Sequence, residues 1–219
     1  MAISVIIPAL NEADRIGDTV LGAFIAGAAE VIVSDGGSTD ATIAIARSRG
    51  AHVITGEHVR ARQLNRGAKA ARHSILLFVH ADTLLPLGAA QAVEEAVANG
   101  AVFGGFRVRF LERGFRLRYV AFMINARTRL TRAPWGDQAQ FVRRDAFPGY
   151  PDFPIMEDYE LARRMKRAGR SVLLPLHVHT SGRRFLQKGV VTASAMNWWI
   201  IAAYHCGVSP ARLAKWYRG

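Results

Sequence analysis

Cysteine is almost missing from this chain, whose 219 residues include a single one, Cys206. No internal disulfide can form, which fits a reducing compartment. Residues 1–16 also lack the basic start and the long apolar run of a signal peptide, because the apolar run there stops at Pro8. Together these absences lead us to expect a cytoplasmic protein.

The glycine-rich loops of common nucleotide-binding enzymes are missing as well. A dinucleotide site needs G-x-G-x-x-G after the first strand, because the backbone must approach the pyrophosphate. Here the first apolar run leads into "PALNEADR", and no Walker A loop follows any strand. A sugar-phosphate nucleotidyltransferase would also begin with a Gly-rich, Lys- or Arg-bearing loop. The sequence therefore argues against all three kinds of enzyme.

Acidic residues are few in the second half of the chain. Residues 1–100 contain 8 basic and 10 acidic side chains, whereas residues 101–219 contain 21 and 7, and the net charge is +12. Arg outnumbers Lys 25 to 4, and codon bias can explain that preference but not the asymmetry between the halves. A positive field in one half indicates an anionic partner, such as phosphates, a lipid surface or nucleic acid.

The first half alternates strand-like and helix-like segments. Short apolar runs predict strands at residues 3–8, 30–34, 52–55 and 75–79. Helical patterns separate them, at residues 14–28, from an N-cap at Ser38 or Thr39 to Gly50, at 61–72, and from Pro86 or Leu87 to about Gly100. This order predicts an α/β fold with a mostly parallel sheet flanked by helices.

Ligands bind such sheets at the carboxyl ends of the strands. In this chain those ends carry four polar stretches, "PALNEADR", "SDGGSTD", "TGEHVRAR" and "HADT". In the less regular second half we predict strands at residues 102–110 and 138–143 and helices at 114–130 and 156–168. We therefore expect the functional site at the edge of the sheet where the four stretches meet.

The C-terminal part contains an unusually apolar segment. Residues 189–207 include no Lys, Arg, Asp or Glu. We expect residues 186–219 to form a helical extension that packs on the domain, because short apolar helices are more often core than membrane. A membrane surface or a homodimer contact is the alternative, and the basic and apolar residues 111–132 would suit an anionic membrane surface.

Six motifs stand in the order found in one enzyme family: "SVIIPALNEADRI", "VSDGGSTDAT", "RARQLNRGAKAAR", "LLFVHADTLLP", "WGDQAQFVRRDAF" and "IMEDYELARRMKRAGR". With them the chain resembles, from residue 3 to 185, the inverting glycosyltransferases of family two, which have the Rossmann-like GT-A fold. Including "SGRRF" at Ser181–Phe185, it is most similar to a small bacterial subgroup described as arsenosugar-type or carotenoid-acid glycosyltransferases. The resemblance implies a glycosyltransferase domain at 1–185, with a nucleotide-binding half at 1–100 and an acceptor half at 101–185.

The resemblance implies a nucleotide-sugar donor, most often a UDP-sugar. The residues that it assigns to nucleotide binding are Pro8, Asn11, Glu12, Asp35, Arg62, Asn65, His80 and Ala81. Asp35 would read the base, since a carboxylate accepts a hydrogen bond from a nucleobase N–H or a ribose hydroxyl. Taken alone, Asp35 and the glycines after it would be only a turn between strand and helix.

The resemblance also implies a divalent metal cofactor, Mn²⁺ or Mg²⁺, held at the stretch "HADT". Asp82 occupies the position of the second carboxylate of the family's D-x-D motif, and His80 replaces the first. The metal would neutralise the departing diphosphate. For His80 the open alternatives are a metal ligand that favours Mn²⁺, a hydrogen bond to ribose, and a purely structural role at the edge of the sheet.

The acceptor half would supply the base. Asp158 would be the general base that takes a proton from the acceptor, and Glu157 would orient the site. Alone, this pair could simply favour the positive end of a helix dipole. The other residues assigned to the phosphates or the acceptor are Asp137, Gln138, Arg183 and Arg184.

The resemblance thus implies metal-assisted, inverting transfer of a sugar to the hydroxyl or carboxyl group of a small or lipid-like acceptor. A nucleotide-binding but inactive homologue is one alternative, because His80 replaces a carboxylate. A nucleic-acid-binding protein that uses the Arg-rich half is another. We expect no nucleic-acid partner, since the aromatic residues lie mostly in apolar runs and no recognised module is visible.

Overall fold

The computed structural model describes residues 1–218, with side chains up to Tyr217. Within them the chain forms one sheet of eight strands, numbered in chain order: β1 Ile3–Ala9, β2 Glu30–Asp35, β3 His52–Thr55, β4 Ile75–Phe78, β5 Thr83–Leu84, β6 Ala101–Phe110, β7 Phe141–Arg143 and β8 Arg170–Thr180. The α-helices are α1 Ala13–Ile25, α2 Thr42–Ser48, α3 Arg60–Ala70, α4 Ala89–Ala98, α5 Phe115–Thr131, α6 Glu157–Ala168, α7 Arg183–Lys188, α8 Val190–His205 and α9 Pro210–Arg218. Short 3₁₀ turns occur at Gly136–Gln138 and Arg144–Ala146.

The strands lie in the order β3-β2-β1-β4-β7-β6-β8-β5. Strands β1 to β4 pair in parallel, β6 and β8 form a second parallel pair, and the two-residue strand β5 pairs antiparallel with β8. The short strand β7 joins the two groups through antiparallel pairing with β4 and β6. The predicted α/β fold with a mostly parallel sheet and flanking helices is confirmed.

Burial on both faces of the sheet explains why its central strands are continuous apolar runs. Strands β1, β2 and β4 are almost entirely buried, and the core divides into one cluster on each face. Helix α1 covers one face with the stripe Ile16, Val20 and Ala23, which follows helical spacing. The carboxyl ends of β1, β2 and β4 therefore meet at one edge.

Two local predictions are wrong. Helix α2 begins at Thr42 rather than after Ser38 or Thr39, because those two residues bond to other groups in the loop. Ser38 accepts the backbone N–H of Asn11, and the N–H of Thr39 donates to the side chain of Asn11. The strand predicted at residues 138–143 is shorter and covers only Phe141–Arg143, since a 3₁₀ turn occupies its beginning.

The C-terminal extension is helical, as expected, and its last residue, Gly219, lies outside the described residues. Helix α8 packs against α5 and is tied to α6 by two hydrogen bonds. Tyr159 Oη lies 2.6 Å from His205 Nε2, and Tyr204 Oη donates to Glu160 at 3.0 Å. No helix of the described residues combines the length and the apolar character that crossing a membrane requires.

Glu160 is the main polar anchor of the extension. Burial opposes its ionisation, but hydrogen bonds from Arg163, Arg164 and Tyr204 outweigh that effect and lower its pKa from 4.5 to about 2. A depressed carboxyl pKa stabilises the fold above the unfolded-state pKa, and this contribution disappears as the pH falls from about 4.5 to about 2. Glu160→Gln should therefore lower the free energy of unfolding at pH 7 by on the order of 2 kcal/mol and flatten its decrease in acid.

Urea unfolding across the acid range measures this effect. Glu95→Gln is the matched control, because Glu95 is exposed and accepts one hydrogen bond from Gln91 on the surface of α4. If the free energy of unfolding of the Glu160→Gln variant fell in acid as steeply as that of the wild type, these hydrogen bonds would not be what lowers the pKa of Glu160.

Candidate functional site

A cleft of about 1000 Å³ opens at the carboxyl ends of β1 and β4. The first turn of α6, the loop after β8 and one side of α8 form its other walls. Ten of the residues predicted for the site line it: Pro8, Glu12, His80, Ala81, Asp82, Asp137, Glu157, Asp158, Arg183 and Arg184. Five others do not: Asn11, Asp35, Arg62, Asn65 and Gln138.

Three side chains from separate elements converge beside Gly136. A Cβ atom at this position would lie 2.8 Å from Arg60 Nη2, 2.8 Å from Asp158 Oδ2 and 2.9 Å from His80 Nε2. All three distances are shorter than real Cβ contacts, so a larger residue at this position would displace the group. The end of β4, the start of α3 and the start of α6 therefore meet at a single point of the cleft.

Asp158 is fixed by two backbone hydrogen bonds. Its Oδ2 accepts the N–H of Gly136 at 2.7 Å, and its Oδ1 accepts the N–H of Tyr159 at 2.7 Å. It stands in the first turn of α6, where the helix dipole favours a negative charge. Met156, just before the helix, has a φ of 67°, a left-handed conformation that is costly for a residue with a side chain. The strained turn aims the first residues of α6 at the cleft.

Arg60 is the cation at the centre of the site, and the sequence did not single it out. Its Nη1 lies 3.2 Å from Glu157 Oε1, and its Nη2 contacts the imidazole of His80. Burial raises the pKa of Glu157, an effect that Arg60 opposes and Asp158 reinforces. Burial, aided by Arg60, lowers the pKa of His80 well below 6.5, so this ring is neutral. The signal in the sequence that could have identified Arg60 is its position two residues before Arg62, which was predicted to bind the nucleotide.

Asp137 faces the cleft with an unused oxygen. Its Oδ1 is buried and has no hydrogen-bond partner among the described residues. Burial raises its pKa, although Arg127 opposes that shift. Arg127 in turn stacks on Trp135, with its Cζ 3.4 Å from the ring centroid. A buried acceptor without a partner is costly, which makes Asp137 a place where a ligand hydroxyl would be stabilised.

Asp82 and Glu12 are linked by Arg183. Arg183 Nη2 lies 3.1 Å from Glu12 Oε1 and 3.9 Å from Asp82 Oδ2, so one guanidinium spans the ends of β1 and β4. Arg184 is turned towards the extension, where it donates to Asn197 at 3.1 Å and stacks on Tyr217. Of this pair, Arg183 is therefore the one placed beside the carboxylates.

Asp35 organises the loop after β2. It is fully buried, and its Oδ2 accepts the N–H groups of Gly37 and Ser38 at 2.7 and 2.8 Å. Its Oδ1 accepts the hydroxyl of Ser38, which also receives the N–H of Asn11. Both oxygens are thus engaged within this loop, and the base-reading role of Asp35 stays a prediction.

The remaining predicted residues make protein contacts outside the cleft. Arg62 is exposed and pairs with Asp152 and Glu57. Asn65 bonds the backbone of Tyr150 through both ends of its amide. Gln138 is buried and accepts the hydroxyl of Thr128 at 2.6 Å. These contacts position α3 and the turn before β7, and the ligand roles of the three residues stay predictions.

No set of three His, Cys, Asp or Glu side chains suitable for a metal ion occurs in the described part of the chain. Asp82 nevertheless offers a carboxylate to the cleft, and Mg²⁺ is often bound through one or two carboxylates together with substrate phosphates. His80 is a poorer candidate ligand, because its Nε2 faces the guanidinium of Arg60. The donor set therefore fits a cation that arrives with a diphosphate.

The family model described as Glycosyl transferase family 2 matches residues 4–189. Among curated proteins, none matches the chain.

Solved structures show the same fold. TarS of S. aureus superposes with a TM-score of 0.64 at 18% identity, over 83% of this chain and 37% of TarS. The 1–349 form of TarS is covered to 60%, so this chain spans only part of these relatives. Glucosyl-3-phosphoglycerate synthase of Mycobacterium tuberculosis has a TM-score of 0.57 at 21% identity, over 82% of this chain and 70% of the synthase. Structures of TarS with UDP-GlcNAc and of the synthase with Mn²⁺ and UDP are known.

Proposed function

The chain belongs to glycosyl transferase family 2, and from that premise we propose that it is an inverting glycosyltransferase. It moves a sugar from a nucleotide diphosphate sugar to an acceptor hydroxyl or carboxyl group. The observation that carries the proposal is the convergence of Asp158, Arg60 and His80 at Gly136, in a cleft that Asp82 also lines. A carboxylate for the acceptor and groups for the phosphates thus share one space.

Asp158 acts as the general base. Its backbone hydrogen bonds hold it in one orientation, and it takes the proton from the acceptor hydroxyl as that oxygen attacks the anomeric carbon. The bond between the anomeric carbon and the diphosphate oxygen breaks on the opposite face, which inverts the configuration. Glu157, paired with Arg60, keeps the neighbouring charges in place.

The donor diphosphate lies towards Asp82 and Arg183. A guanidinium fork suits phosphate oxygens, and Arg183 can exchange its contacts with Glu12 and Asp82 for them because it is 45% exposed. Asp82 would hold a divalent cation, Mn²⁺ or Mg²⁺, which neutralises the departing diphosphate. Asp137, with its unused Oδ1, accepts a hydroxyl of the donor sugar.

UDP is the preferred nucleotide of this proposal, because relatives of the same fold have been crystallised with UDP or UDP-GlcNAc. The resemblance to the arsenosugar-type or carotenoid-acid subgroup stays a prediction, as do the small or lipid-like acceptor and the division of the chain at residues 100 and 185. An inactive homologue would keep the fold and lose transfer.

A panel of nucleoside diphosphates tests the proposal. Binding to the native state raises the melting temperature by mass action, so UDP with Mn²⁺ should raise it by several degrees and more than the other diphosphates do. Hydrolysis or transfer of the corresponding UDP-sugar should follow. No shift with any nucleotide would refute the proposal, and UDP binding without turnover of any UDP-sugar would favour the inactive homologue.

A further inference from the structure

Two segments carry the whole positive charge of the protein. Residues 113–136 and 183–219 each contain six basic side chains and no acidic one, whereas the rest of the chain contains 17 of each sign. Helix α8 joins the two segments, because it packs against α5, and the basic residues of the second segment lie on α7 and α9, before and after it. A charge concentrated in this way indicates an extended anionic partner.

The same two helices expose large apolar side chains. Phe115, Phe122 and Leu130 on α5 are 77%, 65% and 85% exposed, and Trp198 and Trp199 on α8 are each 60% exposed. A helix that is apolar all round is normally covered on every side. Helix α8 carries no Asp, Glu, Lys or Arg, yet only three of its 16 residues are buried. One face of α8 therefore has no cover within the described residues.

A groove of about 800 Å³ runs along α5, between this helix and strands β6 and β8. Four guanidinium groups line it, those of Arg107, Arg109, Arg118 and Arg129. None of the four forms an ion pair within the part of the chain whose side chains are described. Glu112, the acidic residue of the groove, is engaged by the loop after β8. Phosphate oxygens would satisfy these groups.

We propose that α5 and α8 dock the protein on a lipid bilayer that contains anionic phospholipid. The aromatic and aliphatic side chains enter the boundary between headgroups and acyl chains, where Trp and Tyr are favoured. The groove beside α5 binds headgroup phosphates, and the basic residues around it add long-range attraction.

The charge and the side-chain types distinguish a bilayer from the other partners. A second copy of the chain would place two strongly basic faces against each other, which is unfavourable. A nucleic acid would satisfy the guanidinium groups but would offer no hydrocarbon to Leu130 or Val191, which are 85% and 82% exposed.

The two docking helices also line the catalytic cleft. Helix α5 contributes Ile124 to the cleft wall, and α8 contributes Ile200 and Ile201. An amphiphilic acceptor could therefore reach Asp158 while its apolar part stays in the bilayer. This consequence depends on the proposed function, whereas docking itself does not.

Flotation with lipid vesicles tests the docking and needs no sugar donor. The full chain should bind vesicles of phosphatidylcholine mixed with phosphatidylglycerol at least about tenfold more strongly than pure phosphatidylcholine, and high salt should weaken this binding. Equal binding to the two vesicle types, or binding to neither, would overturn the proposal. Nucleotide binding measured on the same sample without vesicles separates this failure from a failure of the proposed function.

Paired variants locate the surface. Arg118→Glu with Arg129→Glu should reduce vesicle binding at least about tenfold, while Arg47→Glu with Lys69→Glu makes the same change in net charge on exposed residues of α2 and α3 and should have a much smaller effect. Phe122→Ser with Trp198→Ser should also weaken binding, and Leu87→Ser, at a side chain that is 75% exposed elsewhere, should not. Melting temperatures confirm that each variant folds.

Three outcomes would contradict the docking face. The first is an equal loss of vesicle binding in the α2–α3 control pair, which would show that binding depends only on the net charge of the protein. The second is a dimer in sedimentation that the Phe122 and Trp198 substitutions dissociate, because a second copy would then cover the face. The third is preferential binding of a random oligonucleotide that displaces the vesicles.

Discussion

Replacing Asp158 by Asn is expected to lower the turnover number by roughly a hundredfold to ten-thousandfold, the range that a general base typically contributes. The amide keeps the size of the side chain but cannot take the proton of the acceptor hydroxyl. Asn retains one oxygen for the N–H of Gly136 or Tyr159, and its amino group would face the other N–H. The variant should therefore be somewhat less stable as well, by about 1 kcal/mol or more.

Two measurements separate chemistry from structure in this variant. Affinity for UDP should stay close to that of the wild type, because Asp158 faces the acceptor in the proposed mechanism. The steady-state rate of sugar transfer, measured well below the melting temperature, then reports the loss of the general base. Asp145→Asn is the matched control, since Asp145 is 67% exposed and pairs with Arg143 on the surface. Near-normal turnover in the Asp158→Asn variant would remove Asp158 from the mechanism.

Replacing Asp82 by Asn should largely remove the dependence of UDP binding on the metal. Asp82 is the carboxylate at the end of β4 that the cleft offers to a cation. The expected loss of metal-dependent UDP affinity is at least as large as the roughly 10- to 100-fold that loss of a supporting group around a metal usually causes. UDP binding without metal should change little, or improve, because a negative charge near the diphosphate is removed.

Calorimetric titration of UDP with and without Mn²⁺ measures this difference directly. Asp18→Asn, on the exposed side of α1, makes the same chemical change away from the cleft and should behave as the wild type. Full Mn²⁺ dependence in the Asp82→Asn variant would place the cation on other residues. If wild-type UDP binding ignores Mn²⁺ and Mg²⁺, Arg60 and Arg183 must neutralise the diphosphate without a metal.

The motifs predicted which strand ends would meet, but not which side chains would point into the cleft. Pro8 lies near the carboxyl end of β1, and His80 and Asp82 follow β4. All three line the cleft because the carboxyl ends of these buried parallel strands lie at one edge. Arg62 and Asn65 were assigned from the same helix as Arg60, yet only Arg60 is turned towards Glu157 and His80. The direction of a side chain on a helix turns by about 100° with each residue. Arg60 therefore points into the cleft, whereas Arg62, two residues later, points to the surface.

The sequence alone determined the α/β architecture and its helical extension. The spacing of apolar residues, the residue types at turns and the lengths of the strands are all local properties of the sequence. It also fixed the charge asymmetry between the halves. Only the tertiary structure decided that Asp158, Arg60 and His80 converge at Gly136, and that the basic helix α5 packs against the uncharged helix α8. These groups are separated along the chain by up to about a hundred residues, and their distances depend on packing between elements, which no local pattern encodes.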